Sequence, residues 1–342
     1  MWRRTEEAVR ALAMLPKAQL HLHLTGAMRP STLRELAQRA GLAVAPALPI
    51  GVGSWADFQA RYDAARSVIR SAADVVRVVT EAADDDAADG CGWLEIQVDP
   101  TSYSSVLGGV RGTVEAVLAA AAQACIPTGV VVASSWARSG DHALGLAQLA
   151  AEYADDGVVG FGLSNDERLG QVAQFEAAFR VAAEAGLLAV PHSGFYTGAD
   201  HVRDCVELLG AGRIGHGTSA AADPAVLELL VRRQVALEVC PTSYPPFGVH
   251  ELSTVPVPAL LDAGVPVALA SDDPLLFRTG LAGQYEICRD MLGLTDHQLA
   301  DLAEHSIRCS AAPAGIQQEL LRGVRNWLAF GPSSEPAPHS VR

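Results

Sequence analysis

Gln19-Leu20-His21-Leu22-His23-Leu24-Thr25-Gly26 is the stretch from which the fold follows. As a strand, it sends His21 and His23, two residues apart, to the same side, where they can share one metal ion. Its end lacks the G-x-G-x-x-G spacing of a dinucleotide-binding turn, which disfavours an open doubly wound sheet. Seven further short apolar runs follow, separated by longer amphipathic stretches: 93–98, 129–134, 158–163, 187–191, 213–216, 235–240 and 265–270. Eight runs in this alternation predict a closed (β/α)8 barrel.

Polar residues collect just after these runs: Asp99, Asn165 with Asp166 and Glu167, His192, His216, Thr242, and Asp272 with Asp273. In a barrel of this type, such positions converge at the carboxyl ends of the strands, where active sites are built. Between the first two strands, helices are expected over 31–40, 55–69 and 72–88, with a Pro/Gly-rich loop over 45–53. That insertion is long enough to act as a lid. Residues 295–330 read as helices closing the far side of the barrel.

With 49% hydrophobic and 19% charged residues, the chain is globular, and no linker-like segment divides it. Residues 1–330 are therefore expected to form one domain, while the Pro/Ser-rich stretch 331–342 has the composition of a disordered tail. A net charge of −14 argues against nucleic acid or an anionic membrane as partner. The Asp84-Asp85-Asp86 run reads as a solvated helix face. Six widely spaced cysteines without a C-x-x-C pair suggest reduced, mostly structural thiols in a cytoplasmic protein. Near the start, Glu6, Glu7 and Arg10 interrupt the apolar residues, so an opening helix is expected rather than a signal peptide. No run of about 18 apolar residues suggests a membrane span. A small-molecule substrate is the expected partner, for a monomer or a homo-oligomer.

His21, His23, His192 and Asp272 offer three imidazoles and a carboxylate, a set that suits Zn²⁺ with a water among its ligands. His216, between Gly215 and Gly217, is placed to orient that water and stabilise charge, and Asp272 can serve as ligand and as proton acceptor. In Pro191-His192-Ser193-Gly194-Phe195, the position three residues after the histidine, where a barrel enzyme would present an acid, holds a phenylalanine.

These residues resemble the adenosine deaminase branch of the metal-dependent amidohydrolases. The likeness rests on Lys17–Gly26, Ser164–Glu167, Arg213–Gly217, Glu238–Ser243 and Ser271–Pro274, in that order, and runs from about Pro16 to Ala312. It implies zinc on His21, His23, His192 and Asp272, with His216 positioning the hydroxide. It further implies that Asp273 and the backbone near Asn165 meet purine nitrogens, and that Thr25 stands near a ribose. At Phe195 the family carries a glutamate that protonates the ring nitrogen. Tyr196 follows, and Tyr244 replaces the family's usual asparagine, adding aromatic bulk expected to face the pocket.

Three readings stay open. The chain is an inactive homologue that keeps a metal and a ligand site; or a hydrolase repurposed for an amide, lactam, ester or activated amino-heterocycle, with Asp272 shuttling the proton; or a deaminase using Tyr196, Asp166 or Glu167 as acid. A cytidine-deaminase-type site is excluded, because the chain has neither the required His-x-Glu nor a Pro-Cys-x-x-Cys.

Overall fold

A computed structural model describes residues 10–43 and 53–330. In chain order the elements are β1 (Lys17–His23), α1 (Pro30–Ala40), α2 (Trp55–Arg66), α3 (Ala72–Ala88), β2 (Cys91–Val98), α4 (Gly109–Ala121), β3 (Thr128–Ser135) and α5 (Gly140–Glu152). Next come β4 (Val158–Ser164), α6 (Glu176–Glu184), β5 (Leu188–Ser193), α7 (Ala199–Leu208), β6 (Arg213–His216), α8 (Pro224–Arg233), β7 (Ala236–Val239) and α9 (Val257–Asp262). The chain closes with β8 (Val267–Leu269), α10 (Pro274–Phe277), α11 (Leu281–Asp290), α12 (Asp296–Arg308) and α13 (Ala314–Ala329).

The eight strands are parallel and lie side by side in sequence order. A single bridge, Leu22 to Asp272, brings the last strand's end back to the first. It is made by His23 N–H donating to the Asp272 carbonyl at 3.1 Å and Asp272 N–H donating to the His21 carbonyl at 3.0 Å. The expected barrel is therefore present. Its closing contact is formed by residues expected to carry the chemistry.

The predicted insertion after β1 is also present, and α3 has the bounds expected for it. Ser71 caps α3 by accepting from Asp74 N–H, and the buried stripe Val75, Val78, Val79, Ala82, Ala83 and Asp86 recurs every three or four residues. Asp86 thus corrects the reading of the acidic run. Asp84 and Asp85 face solvent, but Asp86 falls on the inward stripe and is buried. The lid loop lies mostly outside the described residues, as do the tail 331–342 and most of the opening helix, of which a short 3-10 turn at Leu12–Met14 is described. All six cysteines are free. No described helix is long and apolar enough to cross a membrane.

Burial pushes the Asp86 carboxyl up to about 8, reinforced by Asp89. A carboxyl raised in this way favours the fold below its ordinary range near pH 4, and that contribution is lost as the pH rises through about 8. Asp86→Asn is expected to stabilise the protein by about 2 kcal/mol at pH 8 and by little at pH 4. Melting curves at the two pH values check this.

Candidate functional site

β1 presents His21 and His23 on one side, and the ends of β5 and β6 lie in register with His192 beside Gly215 and Ser193 beside His216. A side chain at Gly215 would press on the rings of His192 and His21, with a Cβ only 3.0 Å from each. The absence of a side chain at Gly215 therefore makes room for the neighbouring imidazoles. Asp272 enters after β8, and Gly26 leaves the space that the Asp273 carboxylate occupies. Three non-glycine residues at strand ends, Asn165, His216 and Asp272, have φ of 75°, 68° and 60°. Left-handed backbone at such positions costs roughly 1–3 kcal/mol each and is concentrated here, where orientation matters most.

The predicted donors converge. His23 Nε2 lies 3.2 Å from His192 Nε2, and Asp272 Oδ1 lies 3.3 Å from His23 Nε2 and 3.5 Å from His21 Nε2. His21 Nε2 is buried with no hydrogen-bond partner. Two imidazole nitrogens facing each other at this distance repel through their lone pairs unless a proton or a cation lies between them. The donor set thus fits a metal ion. Cys240 also has its sulfur near His21 and Asp272, but burial holds its thiol well above the usual range, in the S–H form.

Electrostatics separates the histidines. Burial disfavours a charged His21, yet Asp272 and Glu238 outweigh it and raise the ring to about 10. Burial pushes His216 down to about 3 and holds His192 well below its ordinary value, aided there by the other imidazoles. Asp272, although buried, is held well below the carboxylate range by His21 and His23. Asp273 is driven well above it by burial and by the charge of Asp272. Its Oδ1 is unpartnered.

Behind the donors lies a chain of charge. His21 Nδ1 meets Glu238 Oε2 at 3.1 Å, Glu238 Oε1 accepts from Arg213 Nε at 2.6 Å, and Arg213 also pairs with Glu95. Ser243 donates to Asp272 Oδ2 at 2.7 Å. These partners fix ring and carboxylate orientation. Sequence reading passed over them, although a Glu inside the apolar strand β7 and another inside β2 required partners.

The pocket above the donors is lined by His23, His192, His216, Asp272 and Asp273, with Asn165, Glu167, Phe195 and Tyr196 beside them. α2 of the insertion adds Trp55, Phe58, Tyr62 and Arg66, and Phe247 and Phe277 complete an aromatic wall. Two expected substrate contacts lie elsewhere. Thr25 is fully buried and its hydroxyl pairs with the Tyr103 hydroxyl at 2.6 Å, so Tyr103 rather than Thr25 reaches the pocket. Tyr244 is also fully buried: its hydroxyl accepts from Cys240 N–H at 3.1 Å, and its ring backs Phe195 at 5.6 Å.

The substitute acids are engaged as well. Glu167 Oε1 accepts from the N–H groups of Phe195, Tyr196 and Thr197 at 2.9, 2.8 and 2.7 Å, and from the Thr197 hydroxyl at 2.7 Å. It clamps the loop through that one oxygen. Asp166 is ion-paired with Arg168, which holds its carboxyl below the usual range. Burial pushes the Tyr196 phenol up to about 12, and its ring carries the Arg168 guanidinium at 4.1 Å.

Fold and site define a metal-dependent aminohydrolase barrel. The adenosine deaminase family profile matches residues 16–327, and the chain belongs to that family. It is 51% identical, over 94% of its length and 99% of the relative's, to a provisionally named adenosine/adenine deaminase of Streptomyces virginiae. It is 36% identical to the aminodeoxyfutalosine deaminase of Streptomyces coelicolor, covering 93% of this chain and 87% of that protein. The crystal structure of an adenine deaminase from Arthrobacter aurescens superposes with a TM-score of 0.85 at 30% identity, covering 92% of this chain and 99% of that one.

Proposed function

We propose that the chain is a zinc-dependent hydrolase of a purine-like amino-heterocycle, with His21, His23, His192 and Asp272 as metal ligands. The observation that carries this reading is the facing of His23 Nε2 and His192 Nε2 at 3.2 Å beside the unpartnered His21 Nε2. When bound, zinc acts as a Lewis acid that makes water a nucleophile at neutral pH.

The chain's own groups do the rest. Asp272, held in place by the Ser243 hydroxyl that donates to its Oδ2, accepts the water's proton and delivers it to the leaving amine. His216, kept neutral by burial, orients the water through a ring nitrogen. Asp273 offers its unpartnered oxygen to a ring nitrogen, and the aromatic wall stacks the heterocycle and excludes bulk water. Phe195 stands where the family's general acid would be.

The purified protein is expected to hold about one zinc per chain, and chelation should abolish ammonia release from an aminopurine panel, with zinc restoring it. His192→Asn should lose stoichiometric metal while keeping its fold. Metal analysis and circular dichroism check both, and a wild-type protein that folds without binding zinc sinks the reading.

A further inference from the structure

When water adds to the amino-bearing carbon of a neutral heteroaromatic ring, an electron pair is left on the neighbouring ring nitrogen, and a proton must neutralise it. The pocket is poorly equipped to deliver one there. Glu167 commits its Oε1 to three N–H groups and a hydroxyl of the 195–197 loop, and Asp166 is turned to Arg168. Asp273 meets the ring from the donor-cluster side, by His23 and Asp272, and so takes a different ring nitrogen from the one assigned to the Phe195 side. Where the wall approaches through His216, the side chain is the phenyl ring of Phe195, 4.8 Å from that imidazole and backed by Tyr244 and Phe247.

The same wall suits a cation. Asp99, Glu167 and Asp272 line the pocket against Arg66, which is already bound by Asp63 and Ser102. Aromatic faces attract cations, and Tyr196 holds the Arg168 guanidinium in this way.

Resting on the aminohydrolase reading above, we propose that the substrate is an N-alkylated, cationic amino-heterocycle of the 1-alkyladenine class, whose alkylated nitrogen packs against Phe195. Such a ring carries from the outset the charge that a general acid would otherwise supply. In the reaction the oxygen of one water bonds to the ring carbon, and the exocyclic C–N bond breaks, its electron pair leaving with nitrogen. Both water protons end on that nitrogen, so cation plus water gives a neutral N-alkyl oxo-heterocycle plus ammonium. No oxidant or reductant is involved.

The test pairs 1-methyladenine with adenine, and 1-methyladenosine with adenosine, on the zinc-loaded enzyme, reading ammonia. The alkylated member of a pair is expected to show a kcat/KM at least about 10²-fold higher. Equal or faster turnover of the neutral members overturns this inference alone and leaves the deaminase reading standing; ammonia from no member overturns both. Calorimetry with metal-free protein supplies a readout independent of turnover. Here 1-methyladenosine should bind about 10-fold tighter than adenosine, and Phe195→Leu should erase that preference. A preference absent from the wild type, or retained by Phe195→Leu, overturns the role of Phe195.

Discussion

Phe195→Glu is expected to raise kcat/KM for neutral aminopurines such as adenine or adenosine by about 10²–10⁴-fold, the usual contribution of a positioned general acid. Three features of the site support so large an effect from one side chain. The backbone at 195 is held independently of the side chain, because Glu167 accepts from the N–H groups of residues 195 to 197. The surroundings of a new carboxyl would be the rings of Tyr196, His216, Tyr244 and Phe247, whose centroids lie 4.8 to 5.6 Å from that of Phe195. Such apolar neighbours raise a carboxyl's pKa towards the operating pH, as proton donation requires. Zinc content and melting temperature should stay close to wild type. A variant that keeps its metal content and fold yet gains nothing on neutral rings would show that the aromatic wall, not the lack of a carboxyl at 195, sets what the pocket accepts.

The strands and the converging donors were legible because both are local signals. Each apolar run is bounded by polar residues at its carboxyl end, and the two-residue spacing of His21 and His23 decides their common side. Asp86 was misread for the opposite reason: three consecutive aspartates look alike as a run, and only the three- and four-residue stripe through Val79 and Ala82 separates the buried one. Thr25 and Tyr244 follow strand ends and were expected in the pocket. The turns after β1 and β7 instead direct their hydroxyls to Tyr103 and to the Cys240 backbone. Membership of the charge chain depends on barrel closure, which joins Arg213 to Glu95 across 118 positions. No local spacing encodes that.

Arg213→Leu is expected to destabilise the protein by about 3–5 kcal/mol at neutral pH, because it leaves buried carboxylates without their countercharge. Arg213 and both partners are almost wholly buried, with side-chain exposures of 1%, 0% and 1% for Arg213, Glu95 and Glu238. Burial alone would push the Glu238 carboxyl up, and Arg213 together with His21 reverses this and holds it below the usual range. A lowered carboxyl stabilises the fold above its ordinary range near pH 4.5 and loses that contribution as the pH falls. Removing Arg213 withdraws the main counterweight, so a Glu238 proton would no longer be opposed. The penalty in Arg213→Leu should therefore be largest near pH 7.5 and shrink towards pH 5, whereas loss of packing alone would cost the same at both. Denaturant titrations of wild type and variant at the two pH values distinguish the cases. Arg213→Leu combined with Glu95→Gln and Glu238→Gln should recover much of the loss, since apolar or neutral replacement of a whole buried ionic group is often tolerated. His21 would then lack the charged acceptor at its Nδ1, 3.1 Å away in the wild type. The triple variant should consequently fold well and still bind zinc about 10–100-fold more weakly, as expected when a partner orienting a metal ligand is removed.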